Sequence, residues 1–287
     1  MRIDDACVHI RLEPVHGAGD EEPVQVDAMV STPGAEPWSA AGRGKPGRVG
    51  VLVVHGFTGN PVATRPLGQR LASAGHRVEV PLLPGHGTSH HELAGTRYAD
   101  WADAVGRVLD HLASTCDRVV LVGHSLGGTI ALDLASSRPD DVDGVVVINP
   151  QVSNPRHPVA KLAPVLAHLL PFVPRDLAGM PTDDLARPDV EERAYALVSS
   201  RAARSLIAQL PRIRSQLIDL IQPLLVVRSP QDHTVPAENS LELMELVGSG
   251  DVRELVCERS YHVPQLDYDA EEVEAAVVDF VGEFVPS

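Results

Sequence analysis

The stretch RVVLVGHSLGGTIALDLASS, residues 118–137, contains the pattern that decides the fold. Its first five residues are mostly β-branched, as in a buried parallel strand, and its last twelve predict a helix. Between them, Gly123-His124-Ser125-Leu126-Gly127 matches G-x-S-x-G, a sharp turn that presents a serine hydroxyl between a strand and a helix. The strand and the helix pass close together there, so the flanking positions favour glycine, which lacks a Cβ. Strand, turn and helix together predict a nucleophile at Ser125.

Strands and helices alternate on both sides of this stretch. The same reasoning predicts β-strands at Val49–Val54, Arg77–Leu82, Arg118–Val122, Gly144–Ile148, Leu224–Arg228 and Arg253–Glu258. It predicts helices at Pro61–Ala74, Tyr98–Ser114, Leu126–Ser137, Ala237–Val247 and Ala270–Phe284. Such alternation is typical of an α/β fold with a mostly parallel central sheet and helices on both faces.

The alternation stops between residues 151 and 222, where prolines separate short helical pieces. We interpret this segment, called the insert below, as a helical cap subdomain placed within the core. The predicted domains are 1–150 for the first part of the core, 151–222 for the cap and 223–287 for the second part of the core. Towards the N-terminus, the sequence predicts antiparallel strands at Val8–Leu12 and Val24–Val30, then a mobile Pro/Gly-rich loop at Thr32–Gly47.

The composition restricts the partners of the protein. The chain has 287 residues with 24 basic and 39 acidic side chains, a formal net charge of −15. This charge argues against nucleic acid and anionic membrane surfaces as partners. Three scattered cysteines, Cys7, Cys116 and Cys257, suit a reducing compartment. Neither a secretory signal nor an apolar run long enough to span a bilayer is visible, so we predict a cytoplasmic protein without stable membrane insertion.

A serine hydroxyl needs a base within hydrogen-bond reach and a third group that orients the base. With this kind of serine turn, the acid and then the histidine follow in chain order. Asp232 lies just after the predicted strand Leu224–Arg228, and His262 lies just after Arg253–Glu258. Both lie beyond the carboxyl ends of parallel strands, where open α/β sheets bind ligands. We predict Ser125 as nucleophile, His262 as base and Asp232 as orienting acid, with an acid limb at about pH 6 to 7 for an unperturbed imidazole.

Other histidines compete with His262 for the role of base. His233 is adjacent to Asp232 in sequence, which disfavours an orienting hydrogen bond between them. His124 lies within the serine turn, which directs it away from the hydroxyl. His55 is interpreted as a structural hydrogen-bonding residue before the loop that contains Phe57.

Three histidines in one loop suggest a metal site, and two other acids compete with Asp232. His86, His90 and His91 share one loop, but no carboxylate or thiolate set completes a convincing site there, so no metal is predicted. Asp267 and Asp269 follow the candidate base too closely to orient it. They are predicted to cap the last helix and to complement its dipole.

Fixed backbone N–H groups are suited to stabilise the negative charge of a tetrahedral intermediate. Leu126 follows the nucleophile at a helix N-terminus, and Phe57 lies on the loop after the strand Val49–Val54. We predict that these two amides form an oxyanion hole. Phe57 can serve as a packing residue at the same time.

Five motifs occur together in one order: HGFTG at 55–59, PGHG at 84–87, GHSLGG at 123–128, and the loops of Asp232 and His262. In this combination the chain resembles the α/β-hydrolase superfamily, and within it the bacterial carboxylesterase and monoacylglycerol lipase group, over about residues 48–150 and 223–284. The resemblance implies an α/β-hydrolase fold and carboxylic ester hydrolysis without a cofactor. It also implies the roles given above for Ser125, His262, Asp232 and the two amides. Tyr261 departs from the pattern, since many relatives have glycine before the catalytic histidine.

The substrate side is predicted to lie in the insert. Ser205–Ile221 has apolar residues at spacings of three and four, which predicts an amphipathic helix, and a second apolar group runs from Leu162 to Val173. Most of these side chains are expected to attach the cap to the core, and the rest to line an acyl pocket for a small ester. Thioesters, lactones, C–C bonds or a non-catalytic binding role remain alternatives, because the fold does not choose among them.

Overall fold

A computed structural model describes residues 30–154, 170–181 and 183–287 of the chain. The two predicted N-terminal strands lie outside these ranges, apart from Val30, which is not in a strand. Most of the apolar group predicted between Leu162 and Val173 lies outside them as well. Across the described ranges, every helix is too short or too polar to cross a bilayer.

A seven-stranded sheet forms the centre of the fold, in the order β1-β3-β2-β4-β5-β8-β9. Its strands are β1 (Trp38–Ala40), β2 (Val49–Val54), β3 (Arg77–Val80), β4 (Arg118–His124), β5 (Gly144–Ile148), β8 (Leu224–Arg228) and β9 (Val252–Val256). All neighbouring strands are parallel except β1, which runs antiparallel to β3. The mostly parallel sheet predicted from the sequence is therefore confirmed.

The edge strand β1 lies within Thr32–Gly47, which the sequence predicted to be a mobile loop, and the prediction is wrong there. Trp38 pairs with Val80 of β3, and Ala40 pairs with Val78. A strand of three residues is too short to show a period of two. Its conformation is therefore decided by the partner strand rather than by its own pattern.

Side chains alternate between two buried faces of the sheet. In β2, Val49, Val51 and Val53 contribute to one apolar cluster, while Leu52 and Val54 contribute to the other. The helices α1 (Arg65–Ser73) and α8 (Ala270–Gly282) pack into the first cluster. The second cluster is covered by α2 (His90–Gly95), α3 (Tyr98–Thr115), α4 (Leu126–Ser137) and α7 (Glu238–Leu246). Helices therefore cover both faces, as predicted.

The insert contains strands as well as helices. A separate antiparallel pair is formed by β6 (Phe172–Pro174) and β7 (Leu197–Ser199), and the helices are α5 (Ser200–Ile207) and α6 (Leu210–Gln216). The amphipathic helix predicted across Ser205–Ile221 is interrupted between α5 and α6, where Pro211 lies in the first turn of a new helix. Its stripe faces the core cluster of α3 and α4 through Leu206, Leu210, Ile213, Leu217 and Leu220. The extent of the insert as a separate subdomain stays a prediction.

Candidate active site

The turn between β4 and α4 places Ser125 at the carboxyl edge of the sheet. Its φ of 52° and ψ of −115° lie in a region that residues with a side chain rarely adopt. A Cβ on Gly123 would lie 2.3 Å from the carbonyl carbon of Gly127, and one on Gly127 would lie 2.2 Å from the carbonyl oxygen of Val54. Both flanks therefore require glycine, for the steric reason predicted from the sequence, and packing of β4 against α4 maintains the strained turn.

Asp232 and His262 are joined by a hydrogen bond. Nδ1 of His262 donates to Oδ2 of Asp232 over 2.7 Å, and both side chains are buried. The other oxygen of Asp232, Oδ1, accepts from the amides of Thr234 and Val235 at 2.8 and 2.7 Å. These amides hold the carboxylate while Oδ2 contacts the ring. Because Nδ1 is a donor, Nε2 is the ring nitrogen able to accept a proton.

The serine turn and the His262 loop lie side by side. Nε2 of His124 donates to the carbonyl oxygen of His262 over 2.9 Å, and the two imidazole rings are 4.8 Å apart. Asn149 donates to the same carbonyl oxygen over 3.0 Å and accepts from the amide of Ser229 at 2.9 Å. Loops after β4, β5, β8 and β9 are thereby connected at one edge. Within the described ranges the Ser125 hydroxyl makes no hydrogen bond to His262, so contact between these side chains stays a prediction.

Asn149 was missed by the sequence reasoning. It follows directly after the buried strand β5 and has a φ of 45°. A polar residue at the carboxyl end of a central parallel strand was the signal that could have indicated its role.

The two rival acids, Asp267 and Asp269, organise the loop that carries His262. The Asp267 carboxylate accepts from the amide of Tyr261 at 3.0 Å and from the amide of Ala186, in the insert, at 2.7 Å. The Asp269 carboxylate accepts from the Ser260 hydroxyl at 2.8 Å and makes no capping hydrogen bond to α8. Asp269 is the N-cap residue of α8, but the predicted capping hydrogen bond from its side chain is absent. These carboxylates accept hydrogen bonds from amide and hydroxyl groups of the loop instead, and the Asp267 carboxylate holds the amide of Tyr261.

Burial and neighbouring charges shift the pKa of the candidate base, His262, in opposite directions. Burial alone lowers the pKa of His262, but the charge and the hydrogen bond of Asp232 raise it, as do the carboxylates of Glu192 and Asp184, and the pKa ends above its ordinary value. The acid limb is therefore expected at a higher pH than for a free imidazole, which corrects the expectation of an unperturbed ring. In contrast, burial and the neighbouring His262 lower the pKa of His124 well below its usual range. His124 therefore remains a neutral structural donor.

The predicted oxyanion amides flank the nucleophile. Leu126 is the first residue of α4, where an amide has no acceptor within its own helix. Phe57 lies in residues 55–59, called the oxyanion loop below, directly after β2. A Cβ on Gly56 would lie 3.3 Å from the Cβ of Ser125, so this loop is in contact with the serine turn. Within the described part of the chain, neither amide donates a hydrogen bond to another residue, and their role as oxyanion donors stays a prediction.

His55 supports the oxyanion loop, as predicted. Its Nε2 accepts from the amide of Leu83 at 3.1 Å, which leaves Nδ1 to donate to the carbonyl oxygen of Gly56 over 2.9 Å. Burial lowers the pKa of His55 to about 4, so the ring is neutral and this arrangement persists at neutral pH. The oxyanion loop is thereby tied to the chain after β3.

The remaining histidines have other partners. His233 Nδ1 donates to Oδ1 of Asp184 over 2.7 Å rather than to its neighbour Asp232. His86 is buried beside Phe57 and Trp101, while His90 and His91 pack against Phe172. Among residues 30–154, 170–181 and 183–287, no three His, Cys, Asp or Glu side chains are grouped so as to hold a metal ion.

The insert brings buried charges to the site that the sequence reasoning did not identify. The carbonyl oxygen of Asp184 accepts from the amide of His262 at 3.1 Å. Glu192 and Arg175 form an ion pair at 3.4 Å with both side chains almost fully buried. Oε1 of Glu192 lies 3.2 Å from the position of a Cβ on Gly59, so the pair is in contact with the oxyanion loop. Because these contacts join distant segments, no local pattern could have indicated them.

Comparison with known proteins agrees with this geometry. The family model for the alpha/beta hydrolase family matches residues 51–276, which include the serine turn, Asp232 and His262. The chain belongs to the alpha/beta hydrolase family. The fold and the family resemblance predicted from the sequence are thereby confirmed.

Several proteins similar to this chain are named lipases or esterases. The chain is 35% identical to a thermostable monoacylglycerol lipase of Bacillus sp. over 238 residues, covering 82% of this chain and 90% of the relative. It is 27% identical to a carboxylesterase of Bacillus subtilis, covering 83% and 94% of the two chains. A solved structure reported with LipS and LipT, two metagenome-derived lipolytic enzymes, superposes with a TM-score of 0.81 at 30% identity, covering 88% and 99%.

Proposed function

We propose that this protein is a serine hydrolase of carboxylic esters, with Ser125 as nucleophile, His262 as base and Asp232 as the group that orients the base. The observation that carries the proposal is the hydrogen bond of 2.7 Å between the buried side chains of Asp232 and His262, on a loop in contact with the strained serine turn. The names of the relatives support ester hydrolysis as the reaction class.

The proposed reaction is a two-step acyl transfer. Nε2 of His262 takes the proton of the Ser125 hydroxyl while Oγ attacks the ester carbonyl, and the imidazolium that forms is stabilised by Asp232. The amides of Phe57 and Leu126 stabilise the negative charge on the carbonyl oxygen. The alcohol leaves with the proton from His262. Water, deprotonated by the same ring, then releases the acid and regenerates the Ser125 hydroxyl.

Contact between Ser125 Oγ and His262 Nε2 is part of this proposal. Catalytic hydrogen bonds are often long or misaligned without substrate and tighten in the complex. The strained turn holds the backbone of Ser125, and the adjoining loop holds His262, so the proposal places the two side chains within reach of each other.

The proposed substrates are small acyl esters, with monoacylglycerols as the first class to test, since the 35% identical relative is a monoacylglycerol lipase. The insert, as a cap, would supply the acyl site. The reaction as proposed uses no metal or cofactor. The cytoplasmic location predicted from the sequence remains a prediction.

Substitution of the nucleophile tests the function. We expect Ser125→Ala to lower kcat for p-nitrophenyl butyrate by about 10⁴-fold or more, because the covalent route is removed. Labelling by a fluorophosphonate probe should disappear with it, whereas the urea denaturation midpoint should be retained. A matched control is Ser136→Ala, since Ser136 is a buried serine of α4 whose hydroxyl has no partner in the described part of the chain.

The outcomes separate the alternatives. Full turnover by Ser125→Ala would contradict the proposed mechanism. Labelling of the wild-type protein by the probe without turnover of monoacylglycerols or simple esters would direct the search to thioesters, lactones and C–C substrates. No labelling of the wild-type protein would favour a binding scaffold.

A further inference from the structure

The insert is hydrogen-bonded to the oxyanion loop and to the residue that follows it. The amide of Tyr195 donates to the carbonyl oxygen of Thr58 over 3.0 Å. The side-chain amide of Asn60 donates to the carbonyl oxygen of Arg193 over 2.9 Å, while its Oδ1 accepts from the amide of Val62 at 3.0 Å. The two contacts flank Gly59, so they hold the chain immediately after Phe57 from two points.

Both sides of this junction contain strained backbone. Thr58 has a φ of 63° and Arg193 has a φ of 57°, in the left-handed region that residues with a side chain rarely adopt. Such conformations persist only where the surroundings determine them, and they concentrate at functional sites. Here the carbonyl oxygens of these two residues are the acceptors of the two hydrogen bonds between the segments.

The side chain of Tyr195 reaches a second loop of the core. Its hydroxyl donates to the carbonyl oxygen of Gly85 over 3.1 Å and accepts from the amide of Thr88 at 2.7 Å. Its ring stacks on His86, with 6.5 Å between centroids and 13° between planes, and His86 in turn meets the ring of Phe57 edge-on at 6.2 Å. Tyr195 therefore contacts the oxyanion loop through its backbone and supports Phe57 through His86.

We propose that Tyr195 and Asn60 are positioning residues, through which the insert holds the Phe57 amide in the direction needed to stabilise the oxyanion. This inference rests on the proposed function, because it assigns Phe57 to the oxyanion hole. An oxyanion donor acts only if it is aimed at the place where the charge develops. His55 and the amide of Gly59 restrain the loop at Gly56, and the two contacts from the insert add restraints on the other side of Phe57, at Thr58 and Asn60.

The contacts between the insert and the oxyanion loop could have a structural role or a positioning role, and the two roles lead to different kinetic effects. If the contacts only attach the insert, their loss lowers stability and affects substrate binding and turnover together. If they aim the Phe57 amide, their loss weakens the transition state more than the ground state, and kcat falls while KM changes little.

Two variants weaken the junction. Tyr195→Phe keeps the amide bond to Thr58 and the ring on His86, but it removes the hydrogen bonds of the hydroxyl to Gly85 and Thr88 that hold residue 195 in place. Asn60→Ser keeps a short side-chain acceptor for the turn at Pro61–Ala63 and removes the donor to Arg193. Tyr268→Phe is the matched control, because Tyr268 is half exposed and belongs to neither loop.

We expect each variant to lower kcat for p-nitrophenyl butyrate by about 10- to 100-fold with KM within about twofold, since complete loss of an oxyanion donor costs about 10² to 10³. The Ki of an alkyl trifluoromethyl ketone, which forms a serine adduct with a negative oxygen, should rise in parallel. The Ki of the unreactive alcohol with the same chain should stay unchanged. Tyr268→Phe should behave as the wild-type protein.

The proposal is overturned if kcat stays within about twofold of wild type. It is overturned equally if both inhibitors weaken together, or if the loss of kcat only follows a loss of folded protein in urea denaturation. Failure of the proposed function is distinguishable, because Ser125→Ala would then remain active whatever the two positioning variants do.

Discussion

The carboxyl edge of the sheet and the insert that contacts it are held by different forces. Strands β2, β4, β5 and β8 are buried almost along their whole length, and apolar side chains pack on both of their faces. The insert also packs apolar side chains on the core, but at the active site it is attached by hydrogen bonds and buried charges. Arg175, Asp184 and Glu192 are all nearly inaccessible.

The two regions contribute different parts of the proposed active site. The rigid sheet edge carries the groups proposed to react, since Ser125, Asp232 and His262 all follow its strands. The insert adds the carboxylates of Asp184 and Glu192 to the surroundings of His262, and it adds hydrogen bonds to the oxyanion loop. Substitutions in the sheet edge should therefore abolish folding or reaction, whereas substitutions in the insert should tune pH dependence and turnover.

The largest expected effect concerns the sheet edge. Gly127→Ala would place a Cβ 2.2 Å from the carbonyl oxygen of Val54, a contact that only movement of α4 or β2 can relieve. We expect a loss of about 3 kcal/mol or more in the free energy of unfolding, measured by urea denaturation, together with loss of esterase activity. Gly282→Ala is the control, because nothing lies within 4 Å of its added Cβ. A Gly127→Ala protein as stable as this control would contradict the steric argument.

An intermediate effect is expected where the insert meets α4. Arg212 of α6 donates to both oxygens of Asp133 at 2.8 and 2.7 Å, and the Tyr98 hydroxyl donates to the same carboxylate over 2.8 Å. Because the Arg212 side chain is 45% exposed, solvent screens part of the attraction. We expect Arg212→Ala to lower the free energy of unfolding by about 1 to 2 kcal/mol.

A double-mutant cycle with Asp133→Ala measures the coupling between the two side chains. The matched control is Arg48→Ala, which removes a surface ion pair with Asp117 and should be close to silent. Equal effects of Arg212→Ala and Arg48→Ala would mean that the insert is not attached through this carboxylate.

The smallest expected effect is a shift in pH dependence. His262 must be neutral to accept the serine proton, so activity falls as the pH drops through its pKa. Asp184 is one of the carboxylates that raise this pKa. Asp184→Asn removes that charge and should shift the acid limb of kcat/KM to lower pH, as measured in a pH–rate profile. Asp189→Asn, at an exposed carboxylate of the insert, should leave the limb in place. A limb that stays in place or moves to higher pH in Asp184→Asn would show that the insert does not influence the base.

Much of the core could be predicted from the sequence, because the patterns that indicate its strands are local. The strands β2, β5 and β8 begin and end at the predicted residues, since short runs of valine, leucine and isoleucine mark buried strands. Asp232 and His262 were found because each follows such a strand. Their mutual hydrogen bond agrees with that reasoning.

The hydrogen-bond partners of these groups were harder to predict from the sequence. Asp267 and Asp269 have the sequence pattern of helix caps, yet their carboxylates hold the His262 loop. Tyr195 and Glu192 lie in a segment without periodicity, and their contacts with residues 56–60 span more than 130 positions in the chain. No spacing rule connects residues at that separation.

Local sequence is sufficient to predict the parallel sheet, the glycine-flanked turn at Ser125 and the placement of Asp232 and His262 after strands, because each depends on neighbouring residues and on side-chain volume. The folded structure is needed to show which amide holds which carboxylate and in which direction the pKa of His262 shifts. The folded structure also shows which hydrogen bonds join the insert to the oxyanion loop. Those properties depend on distances and burial between remote segments, and such distances exist only once the chain has folded.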